Sequence, residues 1–378
     1  MNPQKILLFA NTDWYLFNFR LSLAEKLKRE GWDVVLISPP GEYGHKLIES
    51  GFNWIPFDFS NRSTNPFGEF AVILRLIRLY RRERPDLAHH FTIKCVLYGG
   101  IAARFSRGIS VVNAVTGLGH IFTDSGLKAR LLRPVVGLLY RKALNRNNAR
   151  VIFQNEDDRL HFINTKLVDK SLTHLIRGSG VNCDVFSPNQ VESVSDNKVV
   201  SVLFASRLLR EKGIYELLGA AKILKASGLN VEFLIAGDLY PGNPSSLTES
   251  ELDDIKKLDM VTCLGHVHDM QALLAKTDIV VLPSYREGTP RILIEAAAME
   301  KPIVCTDIAG CVGLVEEGVN GFLVPVKAID LLAEKLKILI LDGQLRRNFG
   351  RAGREIVLSE FDEKRVLQKT FNVYQELV

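Results

Sequence analysis

Short apolar runs recur along the chain, and between them lie stretches whose apolar positions return every three or four residues. Uninterrupted runs suit strands buried on both faces, and the longer period suits helices that cover those faces. In the first half the runs at 6–10, 33–38, 87–90, 110–114 and 150–154 predict strands. The stretches at 19–30, 70–82, 96–105 and 127–143 predict helices, the first closed by Gly31. A polar segment with a proline, 188–198, then interrupts the alternation and reads as a linker. A second series follows, with strands expected at 199–204, 231–236, 261–264, 279–282 and 303–306. Its helices are expected at 214–226, 250–258, 270–275, 292–298 and 328–341.

Strands alternating with helices over such lengths are the signature of an α/β protein. At 378 residues the chain exceeds one ordinary core, so two Rossmann-like, doubly wound domains are expected, at 1–187 and 199–360. Two such domains in tandem predict a cleft between the carboxyl ends of their strands, where a ligand belongs. No internal repeat or low-complexity segment changes this picture.

Composition is that of a soluble globular protein, 47% hydrophobic and 24% charged. No apolar stretch approaches the ~18 residues of a spanning helix, and Met1-Asn2-Pro3-Gln4-Lys5 leads into a strand without a signal-peptide pattern. A cytoplasmic protein is expected. Cys95, Cys183, Cys263, Cys305 and Cys311 include no Cys-x-x-Cys pair, which suits reduced thiols and argues against a disulfide framework or a zinc site. His89-His90 and His266-Val267-His268-Asp269 lack complementary ligands at a plausible spacing, so no metal is expected.

Charge is uneven along the chain. Residues 1–180 hold 26 Lys and Arg against 15 Asp and Glu, while the remainder holds 22 against 28. A basic first half implies a polyanionic partner there, nucleic acid or an anionic membrane surface. No nucleic-acid module is recognisable, which favours the membrane and speaks against nucleic acid. Two basic amphipathic stretches bear on this, 70–82 and 127–146. The first reads as a core helix, and the second, with Lys128, Arg130, Arg133, Arg141, Lys142 and Arg146, as a peripheral docking helix.

Candidate chemistry concentrates in Glu287-Gly288-Thr289-Pro290-Arg291-Ile292-Leu293-Ile294-Glu295. A buried strand ends just before it, and Pro290 can sit near the first position of the following helix. Free N–H groups and the positive end of a helix dipole then gather beside two carboxylates, which suits a phosphate or a ribose hydroxyl. In the first half, Thr116-Gly117-Leu118-Gly119-His120 follows a strand, and its glycines either let backbone approach a ligand or make a tight turn. A Gly-x-Gly without a third glycine does not imply NAD, and no P-loop is present.

Five phrases follow one another in the second half: Phe204-Ala205-Ser206-Arg207 with Lys212-Gly213; Ile235-Ala236-Gly237-Asp238; Leu264-Gly265-His266; Leu282-Pro283-Ser284-Tyr285-Arg286-Glu287-Gly288; and Asn320-Gly321-Phe322-Leu323-Val324. Together they resemble the retaining family 4 glycosyltransferases of GT-B fold, over nearly the whole chain. The resemblance implies two Rossmann-like domains facing a central cleft, with the donor in the second and a C-terminal helix at 361–378 crossing back to the first. It implies that Arg207 and Lys212 hold the donor diphosphate and stabilise its departure, that Glu287 contacts the transferred sugar, and that Glu295 binds the ribose hydroxyls. Gly288, Thr289, Pro290, Gly237 and His266 would complete the donor side. The alternative is a surface salt bridge for Arg207 and a solvated helix position for Glu295.

Two positions depart from the family. Thr116 stands where many relatives carry a histidine, and Gly313 where many carry a glutamate after the Gly310 turn. His120 is either a substitute for that histidine or a pocket residue without base function. Phe17-Asn18-Phe19-Arg20, Phe59-Ser60-Asn61-Arg62 and Asp124-Ser125-Gly126 are similar to enzymes that add N-acetylhexosamine to diphospho-undecaprenol-linked sugars. This implies a UDP-N-acetylhexosamine donor, a polyprenyl-diphosphate-linked saccharide acceptor and a place on the inner face of the plasma membrane. Arg20 and Arg62 are then candidates for the acceptor diphosphate or for salt bridges within the domain, and His90, at a strand end, for contact with the acceptor. Rival readings are another hexose or a GDP-sugar as donor, a nucleotide-sugar epimerase, and a non-catalytic scaffold.

Overall fold

The computed structural model describes residues 3–60, 65–117, 127–188 and 199–378. The chain divides into two compact units, Met1–Ser179 with Val366–Val378, and Gly180–Arg365.

Among the described residues, the first unit contains a seven-stranded parallel sheet in the order β3-β2-β1-β4-β5-β6-β7. The strands are β1 (Lys5–Phe9), β2 (Asp33–Ser38), β3 (Asn53–Pro56), β4 (Leu87–Phe91), β5 (Ser110–Val115), β6 (Ala149–Phe153) and β7 (Thr173–Leu175). Helices α1 (Asp13–Arg29), α2 (Gly44–Glu49), α3 (Pro66–Glu83), α4 (Ile93–Arg104), α5 (Leu127–Leu144) and α6 (Glu156–Asn164) link them. Chain order reverses direction across the sheet between β1 and β4, and the loops after those two strands border that switch point.

Helix α1 begins a turn and a half before the sequence pattern indicated. Thr12 accepts a hydrogen bond from the Tyr15 N–H and caps it. Its inner face is Leu16, Arg20, Leu23, Ala24 and Leu27, so a cation occupies a core position and masks the apolar period. Elements absent from the sequence reading, α2, β3, α6 and β7, are short or polar. Helix α6 starts with Glu156, Asp157 and Asp158 and is held by an Asn155 cap rather than by a broad apolar stripe.

Both faces of the sheet are covered. One carries Leu76, Tyr80, Val96, Val136 and Tyr140 from α3, α4 and α5. The other carries Leu16, Leu23 and Leu27 from α1, together with Val366, Phe371 and Tyr374 from the last helix. Within this unit the terminal segment is also fastened by Arg150 to Glu376 at 2.7 Å, and by the Ser110 hydroxyl donating to the Leu377 carbonyl at 3.0 Å.

The second unit contains, among the described residues, a six-stranded parallel sheet in the order β10-β9-β8-β11-β12-β13. Its strands are β8 (Val200–Ala205), β9 (Val231–Ala236), β10 (Val261–Gly265), β11 (Ile279–Leu282), β12 (Ile303–Thr306) and β13 (Gly321–Val324). Its helices are α7 (Ile214–Ala226), α8 (Glu249–Lys256), α9 (Met270–Ala275), α10 (Arg291–Ala298), α11 (Ile329–Leu341) and α12 (Gly343–Ile356). The last helix of the chain, α13 (Glu363–Gln375), starts in this unit and continues into the first. Strand β13 and helix α12 were not foreseen; α12 is arginine-rich and buries only Phe349, Gly350 and Gly353. Residues 180–365 belong to this unit, where the Val181 N–H donates to the Phe361 carbonyl at 3.0 Å. The switch point here lies between β8 and β11.

Candidate active site

The loops after β8 and β11 carry the charged residues of the second unit. After β8 the chain passes Arg207 and forms a short 3-10 turn, Arg210–Lys212, ended by Gly213 at φ +81°. A Cβ at Gly213 would stand 2.1 Å from the Pro283 carbonyl oxygen, so the two loops touch backbone to side-chain position. The Glu211 carbonyl accepts from the Tyr285 N–H at 2.8 Å and from the Ser284 hydroxyl at 3.2 Å, and the Tyr285 hydroxyl donates to Glu216 at 2.7 Å. This clamp presents Lys212 to Glu287: the Lys212 Nζ lies 2.5 Å from Glu287 Oε1, with both side chains mostly buried.

Beside them, Gly288 and Thr289 lead to Pro290, which is the residue before α10 and supplies no side-chain cap. Pro290 thus offers the first N–H groups of α10 no side-chain acceptor of its own. Glu295, one turn in, is buried and accepts from Arg291 Nε at 2.7 Å. Burial pushes its carboxyl above the usual range, with the Arg291 charge and hydrogen bond pulling the other way. Gly310 packs under this loop: a Cβ there would stand 2.5 Å from the Glu287 carbonyl oxygen. Gly313 has φ +83°, a conformation a glutamate at that position would hold only under strain.

A third and fourth loop join the rim. The Ser206 N–H donates to the Ala236 carbonyl at 3.0 Å and the Gly237 N–H to the Gly265 carbonyl at 2.8 Å, so the ends of β8, β9 and β10 are stitched together. Arg207 is exposed, its guanidinium 4.7 Å from the Tyr240 ring centroid. His266 is also exposed, and its ring centroid lies 4.6 Å from that of His268. Among the described residues, no group of three His, Cys, Asp or Glu is arranged as metal ligands.

In the first unit, Thr116 and Gly117 are half-buried just after β5. Gly119, His120 and Arg62 lie outside the described residues. His90 does not fit the acceptor contact expected of it. It is fully buried, its Nε2 2.7 Å from the Tyr80 hydroxyl and its Nδ1 2.7 Å from Asn113 Oδ1, so both ring nitrogens are used internally. Side chains alternate along β4, and His90 points to the face opposite His89. Arg20 is buried on α1, its Nη2 donating to the Tyr15 hydroxyl at 2.7 Å, and no carboxylate pairs with it among the described residues.

Comparison with known proteins now bears on this site. Residues 187–356 match the family model for glycosyl transferases group 1, and residues 5–155 that for glycosyl transferase 4-like proteins. The N,N'-diacetylbacillosaminyl-diphospho-undecaprenol alpha-1,3-N-acetylgalactosaminyltransferase of Campylobacter jejuni subsp. jejuni is 30% identical over 372 residues, covering 96% of each chain. The chain belongs to these glycosyltransferases. The UDP-Gal:alpha-D-GlcNAc-diphosphoundecaprenol alpha-1,3-galactosyltransferase of Escherichia coli is 25% identical, over 95% of this chain and 93% of its own. Anabaena HepE, solved in complex with UDP-glucose, shares the fold at a TM-score of 0.77, with 22% identity over 99% of this chain and 100% of that one.

For this glycosyltransferase the motif residues Arg207, Lys212, Gly237, His266 and Glu287 to Glu295 converge on one edge of one sheet. The clamp through Glu211, Glu216 and Tyr285, which joins the loop carrying Lys212 to the loop after β11, had no signal in the sequence beyond the polar residues themselves. The same holds for Asp13, a buried carboxylate whose Oδ2 accepts from the Tyr43 and Gly44 N–H groups at 2.8 Å and whose Oδ1 accepts from Trp14. It pins the loop after β2 to the start of α1.

Proposed function

We propose that this glycosyltransferase moves an N-acetylhexosamine, with retention, from a UDP-sugar to a saccharide carried on a polyprenyl diphosphate, in the assembly of a surface polysaccharide or glycan. The observation that carries the reading is the pairing of Lys212 with Glu287 at the switch point of the second sheet, beside the start of α10, where the preceding residue is a proline. A donor diphosphate brings more negative charge to Lys212 than one carboxylate does, so it competes with Glu287 for the ammonium. Glu287 is then released to accept hydrogen bonds from the hydroxyls of the sugar being transferred. Arg207 and Lys212 stabilise the departing diphosphate, whose oxygen takes the acceptor proton, which is why Thr116 in place of a histidine is compatible with transfer. Because two cations already face the leaving group, no divalent metal is needed in this scheme, and transfer is expected to persist in a chelator.

The acceptor class is supported by the two relatives above, which act on diphospho-undecaprenol-linked sugars. They differ in the sugar transferred, so GalNAc or GlcNAc stays the first choice and galactose the rival. A membrane surface suits the first unit. Phe67, Phe70 and Leu74 lie exposed on α3, Phe67 at 87%, and Val135 and Leu138 on α5, with Arg78, Arg133, Arg141 and Lys142 on the same helices. Helix α3 thus offers apolar side chains outward as well as to the core, against the simple core role its sequence suggested. No helix among the described residues is long and apolar enough to cross a membrane. We place the protein peripherally, on the cytoplasmic face.

The test is UDP release from a panel of UDP-sugars, with and without a membrane extract containing polyprenyl-linked saccharides, for the wild type and Lys212→Ala. Acceptor-dependent release with one donor, lost in the variant, is the expected result. Release that needs no acceptor sinks transfer in favour of an epimerase, and no release with any UDP-sugar moves the donor to another nucleotide or the protein to a scaffold.

A further inference from the structure

Two arginines stand on the loop after β8, and they are held in opposite ways. Arg210 is answered by charge: its Nη2 lies 2.7 Å from both carboxylate oxygens of Glu251, and its Nη1 donates to the Ser246 carbonyl at 2.9 Å. Arg207 pairs with no carboxylate among the described residues. Its guanidinium carbon instead lies 4.7 Å from the centroid of the Tyr240 ring.

The difference decides what each cation can offer an anion. A carboxylate cancels the charge it binds, as Glu251 does for Arg210 and Glu287 for Lys212. The face of an aromatic ring attracts a cation through its quadrupole and leaves the net charge in place. Among the described residues of this loop, Arg207 is therefore the cation whose charge stays uncompensated.

The ring is brought to Arg207 by a well-fastened loop. Residues 238–247, after β9, run antiparallel to the β8 loop: the Leu208 N–H donates to the Asp238 carbonyl at 2.9 Å, the Leu247 N–H to the Leu208 carbonyl at 2.9 Å, and the Arg210 N–H to the Ser245 carbonyl at 2.8 Å. Within it the Tyr240 N–H donates to the Ser246 hydroxyl at 3.0 Å, and the Tyr240 carbonyl accepts from the Asn243 N–H at 3.1 Å. Backbone bonds thus fix the ring's attachment point, yet Tyr240 is 43% exposed and takes no part in the core of the second unit. Core packing does not account for its place. An exposed arginine samples many rotamers, and ordering it on a ligand costs entropy, part of which a ring already holding the guanidinium removes.

We infer that Tyr240 is a positioning residue for the transfer reaction: its ring holds Arg207, charge undiminished, for the departing diphosphate of the donor. This rests on the role given to Arg207 above and extends it to a neutral side chain on a second loop.

The test is steady-state turnover of the UDP-sugar, with calorimetric titration of UDP, for variants of Tyr240 in the wild-type and the Arg207→Ala backgrounds. Tyr240→Leu should lower kcat/KM for the donor and weaken UDP binding by about three- to fivefold, the order expected of an exposed cation–π contact. The KM for the acceptor and the melting temperature should stay level. Tyr240→Phe, which keeps the ring, should recover most of the loss. In the Arg207→Ala background Tyr240→Leu should change nothing further. Phenylalanines bearing one, two and three fluorines at position 240 should lower kcat/KM step by step, because fluorine drains the ring face while altering its shape little. A loss that persists without Arg207, or one insensitive to fluorination, would make the ring a packing element and overturn the inference. Wild-type turnover in Tyr240→Leu would do the same. A wild type that binds no UDP overturns the donor reading and this inference with it, whereas the other outcomes overturn this inference alone.

Discussion

Lys212 and Glu287 are 75 residues apart in the chain and 2.5 Å apart in the structure, joined across the switch point between β8 and β11. Neither belongs to a regular strand or long helix; the clamp of Glu211 on Ser284 and Tyr285 brings their loops together. Each holds the other, and they carry opposite charges, so the two substitutions should behave differently. Lys212→Ala removes charge from the departing diphosphate and should lower kcat by about a hundredfold or more. Glu287→Gln frees the ammonium and should leave UDP affinity equal or tighter while still depressing kcat. UDP affinity and single-turnover transfer, measured together, check this; weaker UDP binding in Glu287→Gln would refute competition for Lys212.

With Glu295 holding the donor ribose, the role the family resemblance gives it, its burial predicts a pH dependence of donor binding. Burial raises its carboxyl above the usual range despite Arg291, so the folded chain holds that proton more readily than the unfolded chain does. The contribution to stability is therefore complete below the ordinary glutamate pKa and is lost as pH rises through the raised value. Binding runs the other way, since the ionised carboxylate is the better acceptor for ribose hydroxyls. UDP affinity should fall on acidification at a higher pH than a surface glutamate would give, and Glu295→Gln should flatten both profiles.

Gly237 was assigned to the donor site from its motif, and the structure gives it a prior duty. It has φ +141°, and a Cβ there would stand 1.8 Å from the Ser206 carbonyl oxygen, an overlap with backbone that no rotamer relieves. Gly237→Ala should destabilise the second unit by roughly 3 kcal/mol or more, from backbone strain and a forced shift of the β8 loop. Chemical denaturation reads this directly, and full stability of the variant would show that the loop yields.

Much of this arrangement was legible in the sequence because buried parallel strands announce themselves. Strands β2, β9, β11 and β12 and helices α7 and α9 lie within the bounds their apolar runs suggest. The start of α1 was not legible, since Arg20 interrupts its apolar face, and that a guanidinium can stand there, 4.3 Å from the Phe91 ring centroid, appears only in the packed structure. Helix α6 and strand β7 are held by caps and pairing rather than by hydrophobic period. At the donor site the residue types were readable one by one. That Lys212 and Glu287 bond to each other was not, because contact between loops depends on strand order, which the local pattern does not encode. His90 failed as an acceptor residue for a similar reason: alternation along β4 fixes that His89 and His90 face opposite ways, but only packing decides which side is filled.

His89 and His90 should make the first unit sensitive to acid. Burial lowers the imidazole of His90 to about 4, opposed by its bond to Asn113, and burial holds His89 well below the ordinary histidine value. Between about 6.5 and 4 the unfolded chain binds protons that the folded chain refuses, so stability rises with pH across that window and is lost as pH falls through it. Each group contributes about 1.4 kcal/mol per pH unit, so His90 alone costs roughly 3 kcal/mol by pH 4. The chain has three tryptophans, Trp14, Trp32 and Trp54, all in the first unit, which makes their fluorescence a reporter of that unit alone. Urea unfolding followed by tryptophan emission at successive pH values should show a slope near two protons in the wild type and near one in His90→Gln. Equal slopes would mean that His90 is protonated in the folded state, which its complete burial opposes.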